Sequence, residues 1–287
     1  MYILDAEFWE ALWKRSRSRS SSLKDVKGFQ EYPVEKWNRR AASYSRQTHG
    51  HNMHRRWQSV HDFLKYCSVD LQEGMEVLDI GSGPGNFAIP FARMGLKVWA
   101  LDPAENMLAI LKERISKEKL EGIFPVGEGW ETIDLEKEGW VKKFDLVFAS
   151  MSPGVNSKET LQKMISASKK YCYISSFAGS RVYPLQEEIS RELLGDEYKV
   201  YTPEIIYPFN MLYSMGYYAK LTFEKNDSER EVALEDVFVE IVSHLGLYTE
   251  ITPDIEEKVK SFLQARANNG LVVKKTSSSI GMMLWEV

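Results

Sequence analysis

Between Val77 and Asn86 the chain reads VLDIGSGPGN, an apolar run that opens into Gly81, Ser82, Gly83, Pro84 and Gly85. Glycines at such spacing let a turn take dihedrals that side chains disfavour, and they let a ligand approach the backbone closely. The free amides at the start of a following helix then suit an anionic group. Asp79 stands just before the turn. Asp102 ends the next apolar run about twenty residues on, where a carboxylate can accept both hydroxyls of a ribose. Asp102, Pro103 and Glu105 also fit the N-cap, N1 and N3 positions of a capping box, and the two roles are compatible.

Two further groups have the makings of a site. Tyr44, His49, His51, His54, Arg55 and Arg56 crowd a short basic stretch. His51 and His54 are three apart and can share a helix face as metal ligands or a proton relay. With no third ligand nearby they read better as exposed residues, and no metal site is expected. Ser150, Met151 and Ser152 end the apolar run FDLVFAS and open the next loop. In open α/β sheets the ligand sits beyond the carboxyl ends of the strands, so these three are expected to face a reacting group.

The loop's spacing is G-x-G-x-G. A dinucleotide fingerprint would need glycine or alanine at position 86, which is Asn86, so a nicotinamide-dependent oxidoreductase is the weaker reading. Cys67 and Cys172 lie far apart and define neither a disulfide framework nor a zinc site.

The elements that must carry these residues follow a regular rhythm. MEVLDI, LKVWALD, GIFPV, FDLVFAS and YCYISSF read as strands, with helical periods over Asn86–Met94, Pro103–Lys119 and Lys158–Lys169 between them. Such alternation predicts a mostly parallel sheet with helices on both faces. Gly95 is placed as a C-terminal cap, and Pro90 falls near a helix's first turn, where its cost is reduced. Upstream, Asp5–Arg15 reads as a short amphipathic helix. Ser16–Ser22 reads as a solvated linker, and Trp37–Tyr66 as helical. Downstream, helices are expected over about Glu231–Leu245 and Pro253–Ala267, before a last strand, IGMMLWEV. The division expected is a helical lid segment over 1–70 and a Rossmann-like domain over 71–287, with additions over about 181–270.

Composition narrows the class. At 44% hydrophobic and 27% charged residues, the chain resembles an average soluble globular protein. The net charge of −4 hides a basic stretch, with 13 Lys/Arg against 7 Asp/Glu up to Tyr66. An overall acidic chain is a poor nucleic-acid binder, so no nucleic-acid partner is expected. No apolar run approaches the roughly 18 residues that span a bilayer. A signal peptide is not evident, so the expected location is the cytoplasm.

The run VLDIGSGPGNFAIPFARMGLKVWALDPAENML resembles the core of the class I S-adenosylmethionine-dependent methyltransferase superfamily. The likeness covers roughly Trp37 to Phe177. It implies a Rossmann-like, doubly wound, mostly parallel seven-stranded sheet with an N-terminal helical lid and helical additions before the last strand. It implies that Asp79, Gly81, Ser82, Gly83 and Gly85 hold the methionine portion of S-adenosylmethionine, and that Asp102 holds the ribose. Pro103 and Met107 would flank the adenine. Glu128, Gly129 and Trp130 would meet its edge, although GEGWE departs from the Asp and bulky residue of many members. Either Glu128 replaces that Asp, or Gly129 takes its place with Trp130 alone covering the ring. Ala104 stands where relatives often carry a capping serine. KWNRRAASYSR resembles the lid helix of small-molecule methyltransferases, in which Tyr44 would reach the cofactor. The tetrad of adenine- and glutamine-nitrogen methyltransferases is absent, since this chain has SMSPG.

The resemblance implies in-line methyl transfer to a small-molecule acceptor, with Tyr44, His49, His54, Arg56 and Ser152 as substrate-side candidates and Ser150 beside the donor. Two variants remain open on the same loop: a non-catalytic S-adenosylmethionine-binding module, and transfer of the aminocarboxypropyl group. The aromatic stretch with Tyr198, Tyr201, Tyr207, Phe209, Tyr213, Tyr217 and Tyr218 reads equally as an acceptor pocket or as edge packing.

Overall fold

The central strands are the apolar runs of the sequence: β1 (Glu76–Ile80), β2 (Lys97–Leu101), β3 (Ile123–Val126), β4 (Phe144–Ser150) and β5 (Ser168–Val182). Two long strands, β6 (Lys220–Ala233) and β7 (Leu271–Glu286), complete one seven-stranded sheet in the order β3-β2-β1-β4-β5-β7-β6. β7 runs antiparallel to both its neighbours and the other pairings are parallel. The computed structural model describes residues 5–18, 34–48, 51–195, 204–246 and 248–287.

Val77, Leu78 and Ile80 are all buried, as a strand covered on both faces requires. Val77 joins a cluster with Leu64, Phe91 and Phe148, on the face of α3 (His51–Tyr66), α4 (Ala88–Arg93) and α5 (Glu105–Glu118). Leu78 and Ile80 join Trp13, Met164 and Leu212 on the opposite face, under α1 (Ala6–Ser18), α6 (Lys158–Ala167) and α8 (Ile206–Ser214). The alternation puts Asp79 on the first face, in an apolar setting.

Several boundaries differ from the sequence reading. α1 continues through Ser16, whose hydroxyl donates to the Trp13 carbonyl at 2.7 Å, so the expected linker starts later. Its remainder lies outside the described residues. The helix expected from Glu231 begins at Leu234, because Lys220–Ala233 is a strand paired over its whole length with β7. The last strand begins at Leu271, not Ile280. β6 and β7 thus form a ribbon that rises past the carboxyl end of β5. There α7 (Pro184–Leu194), α9 (Leu234–Leu245) and α10 (Pro253–Gln264) bury Ile189, Val237, Leu263 and Val272 in a separate small core.

α2 (Val34–Thr48) lies along α5 at the other side of the sheet's carboxyl end. Asn38 Oδ1 accepts the backbone N–H of Asn106 at 3.0 Å, and Asn106 Nδ2 returns a bond to the Asn38 carbonyl at 3.1 Å. Arg46 pairs with Asp236 of α9 at 2.7 Å.

Candidate active site

The turn after β1 is built from three left-handed glycines, with φ of +72° at Gly81, +54° at Gly83 and +83° at Gly85. Each has its own reason. A Cβ at Gly81 would overlap the Ser152 hydroxyl, and one at Gly85 would overlap Leu111 Cδ1. One at Gly83 would meet only Met107 Sδ at 4.0 Å. Gly83 therefore faces open space, whereas Gly81 and Gly85 let neighbouring segments close in.

Asp102, only 8% exposed, ties this turn to the end of β2. Its Oδ2 accepts the Gly83 N–H and its Oδ1 the Ala104 N–H, both at 2.8 Å. The capping-box reading is thereby corrected: the N-cap of α5 is Ala104, which makes no side-chain cap, and Asn38 supplies the acceptor from α2. Burial pushes the Asp102 carboxyl up, and the two backbone N–H groups pull it back. Asp79 is raised further, to about 7, first by burial and then by the Asp102 charge. The Ala88 N–H and the Arg56 charge oppose that rise.

A cavity of about 380 Å³ opens over this turn. Gly81, Gly83, Asp102, Pro103 and Met107 form its floor, with Glu128 and Trp130 beyond β3. Ser150, Met151 and Ser152 close the β4 side, and Val34, Trp37 and Tyr44 of α2 form a roof. Most residues singled out in the sequence thus converge here. Asp79, Ser82 and Gly85 stand behind the wall, and Gly129 is absent from it as well. Trp130 is 2% exposed and its Nε1 donates to the Thr160 carbonyl at 3.0 Å, so the indole is core packing as well as wall.

Arg56 is half-buried on α3. Its Nη2 donates to Ser150 Oγ at 3.0 Å, and its guanidinium lies 5.2 Å from the Phe87 ring centroid. Ser150 Oγ is in turn 2.9 Å from Ser175 Oγ of β5. His54 is exposed and lines no part of the cavity. His49 lies outside the described residues, as do Tyr198 and Tyr201. The described aromatics of that stretch do not reach the cavity: Tyr207, Phe209 and Tyr217 pack on the core, while Tyr213 and Tyr218 are exposed. Among the described residues no His, Cys, Asp and Glu group could hold a metal ion.

Sequence reasoning missed three features of the site. Met151 takes a left-handed backbone, φ +56°, directly after β4 while its N–H donates to the Ser175 carbonyl at 2.9 Å. Glu131 and Asn156 join the wall and bond to each other at 3.1 Å. A capping box of Ser157 and Thr160 starts α6 and fixes the loop after β4. Only that last feature has a local signal, a Ser with Thr three residues on.

The residues fit a cationic nucleoside donor. Asp79 Oδ2, Ser82 Oγ and Asn86 Oδ1 are buried around the turn without a hydrogen-bond partner among the described residues, Gly83 leaves a cradle, and Asp102, Glu128 and Glu131 make the wall acidic. Residues 77–171 match the family model of a methyltransferase domain. An uncharacterized protein of Haemophilus influenzae is 28% identical over 230 residues, covering 77% of this chain and 79% of its own. A protein of Methanosphaera stadtmanae named "Probable ribosomal RNA small subunit methyltransferase A" is 29% identical over 103 residues, 36% of each chain. A solved magnesium protoporphyrin IX methyltransferase of Synechocystis is similar at 16% identity and a TM-score of 0.44, covering 79% of this chain and 90% of its own. The matched span runs from β1 into β5 and so takes in the glycine turn, Asp102 and Ser150.

Proposed function

We propose that the chain transfers the methyl group of S-adenosylmethionine to a small-molecule acceptor. The observation that carries this is the roof: Val34, Trp37 and Tyr44 of α2 close a cavity of about 380 Å³ over the carboxyl ends of the strands. That volume falls among small-ligand sites, about 300–1,000 Å³. A roofed floor admits a small molecule and keeps a duplex or a folded polypeptide out. The net charge of −4 also opposes a phosphate backbone.

In this reading Asp79, Gly81, Ser82, Gly83 and Gly85 hold the methionine portion, Asp79 from behind the turn. Asp102 takes the ribose hydroxyls with the lone pairs that Gly83 and Ala104 leave free. Pro103, Met107, Glu128, Gly129 and Trp130 surround the adenine. The bound donor supplies an electrophilic methyl group. This chain's contribution is orientation, since aligning donor and acceptor for in-line displacement supplies much of the rate. Tyr44, Ser152 and Ser150 border the acceptor's approach, and Arg56 supports Ser150 from behind. Within the segment 1–70, α2 acts as the lid of the domain formed by 71–287.

The test is release of S-adenosylhomocysteine by the purified chain with three acceptor pools: filtered small metabolites, total RNA and denatured protein. Release with metabolites alone is expected. Release with RNA or protein alone would refute the small-molecule reading.

A further inference from the structure

We infer that the accessory helices beyond the sheet hold the roof of the active site, with Asp236 of α9 as a positioning residue that acts through Arg46 of α2. This rests on the reading of the cavity under α2 as the donor site, and it gives a task to a part of the chain that methyl transfer itself leaves idle.

The apolar hold of the roof on the body is small. Among the described residues α2 shares a cluster in which Ala41, Ala104 and Met107 are buried, with Val34, Trp37, Tyr44 and Ile110 partly so. Alanines bury little area, and burial stabilises in proportion to area. Polar ties therefore weigh heavily in how firmly α2 stays over the cavity. Asn38 and Asn106 tie its first half to α5. Two more ties grip its last turn. The Thr48 hydroxyl accepts from Asn86 Nδ2 at 3.2 Å, and Arg46 Nη2 donates to Asp236 Oδ1 at 2.7 Å. Asn86 directly follows the glycine turn, so the first of these fastens the roof to the floor. The second fastens it to the accessory core. Tyr44 of the roof is part of the same turn, since Thr48 Oγ1 also donates to the Tyr44 carbonyl at 2.8 Å.

Asp236 has a firm base. It lies in the first turn of α9, between Leu234 and Val237, both of which are buried in the small core. Its side chain is 19% exposed against 63% for Arg46, so the acid is the fixed partner and the guanidinium the captured one. Lys274 of β7 pairs with Glu240 at 2.5 Å and pins α9 to the ribbon, from which α9 continues without a break after Ala233. Lower down, α3 holds β6: Ser59 Oγ donates to Glu224 Oε1 at 2.9 Å and Arg55 Nη2 to Asn226 Oδ1 at 2.6 Å.

The length of the ribbon then has a reason. β7 pairs with β5 from Glu286 back to Ser277, and from Thr276 to Leu271 it pairs with β6 alone. A two-stranded ribbon is marginal by itself. This overhang is secured by Val232 and Val272, which are buried in the small core and not in the clusters that flank the central sheet. It is an arm that carries α9 past the end of β5 to meet α2.

The experiment is stopped-flow displacement of S-adenosylhomocysteine from the full chain. Asp236→Asn and Arg46→Gln should each speed dissociation about threefold, the scale of an exposed ion pair. The double variant should be no faster than either single one, because both remove the same interaction. Arg46→Asp combined with Asp236→Arg should return the rate to within about twofold of the parent. In about 1 M salt the parent should approach the single variants, since screening reaches a pair at the surface. An unchanged rate in Asp236→Asn overturns the inference. So do single effects that multiply in the double variant, or a charge exchange that restores nothing. Release that ignores every one of these changes would leave the donor reading intact, whereas a parent that does not bind S-adenosylhomocysteine would defeat that reading itself.

Discussion

Asp102 Oδ2 accepts the N–H of Gly83 at 2.8 Å, so the acid at the end of β2 holds the glycine turn in place as well as facing the cavity. The same carboxylate takes the Ala104 N–H at 2.8 Å and so fixes the entry to α5. One side chain thus sets the relation of the floor to the side wall. Asp102→Ala should weaken S-adenosylmethionine binding about tenfold or more, because a charge-assisted acceptor is lost and two backbone donors are stranded. Asp102→Asn keeps one acceptor and should lie between. Calorimetric titration checks both, and unchanged affinity in Asp102→Ala would remove Asp102 from the site.

The glycines of the turn should separate by readout. Gly85→Ala combines a left-handed backbone with overlap on Leu111, which is fully buried. A cost of about 2–4 kcal/mol in urea unfolding is expected, the sum of backbone strain and overpacking. Gly83→Ala has room for its Cβ and should cost only about 1–2 kcal/mol in stability. Its effect belongs in donor affinity, because that Cβ enters the cradle. Equal stability losses in the two variants would contradict the assignment.

How far the sequence reached follows from how local each signal is. The glycine turn and the acid after β2 were legible because left-handed backbone and strand-end carboxylates leave their mark within a few residues. β6 was not. In Lys220–Ala233 the side chains from Glu224 to Glu231 are charged or small and polar, and the alternation in their exposure arises from β7, some fifty residues away. Strands of this kind draw their stability from cross-strand partners, not from an apolar face. The start of α5 was misread for a related reason: the acceptor that caps Asn106 is Asn38, on another helix. Trp130 was legible as a wall residue, but its bond to Thr160 depends on how α6 sits.

The Asp79 carboxyl predicts a pH dependence with a definite sign. Its folded value of about 7 lies above the ordinary 3.8, so the folded state holds its proton more tightly than the unfolded state. The stability this gives the ligand-free chain is complete below pH 4 and is lost as pH rises through 7. Asp79→Asn should therefore unfold at higher temperature than the parent above that range, with little difference at its acid end. Affinity for the cationic donor should move the other way, rising with pH through about 7 in the parent and staying flat in Asp79→Asn. A parent whose donor affinity is independent of pH would refute the role given to Asp79.

The clasp between Asn38 and Asn106 should act on the lifetime of the bound donor. α2 contributes Val34, Trp37 and Tyr44 to the roof, so loosening its hold on α5 opens the cavity. Asn38→Ala removes a cap of about 1 kcal/mol, which corresponds to roughly fivefold faster dissociation of S-adenosylhomocysteine. Stopped-flow displacement measures this directly. An unchanged off-rate would mean that α2 need not move for the donor to leave.

Met151 offers the clearest case of stability and activity pulling apart. Its φ of +56° is a left-handed conformation that a methionine adopts only at a cost. The strain is held by the bond from its N–H to Ser175 at 2.9 Å, and it delivers a residue to the cavity wall between Ser150 and Ser152. Glycine at this position relieves the backbone, so Met151→Gly should gain about 1 kcal/mol from strain relief, less what a flexible unfolded chain returns. The same change removes the wall where donor and acceptor meet, and alignment at that point is worth a large share of the rate. Turnover should fall by about tenfold or more while the unfolding midpoint holds or rises. Loss of both together would show that Met151 is packing, and that its backbone is shaped by the fold alone.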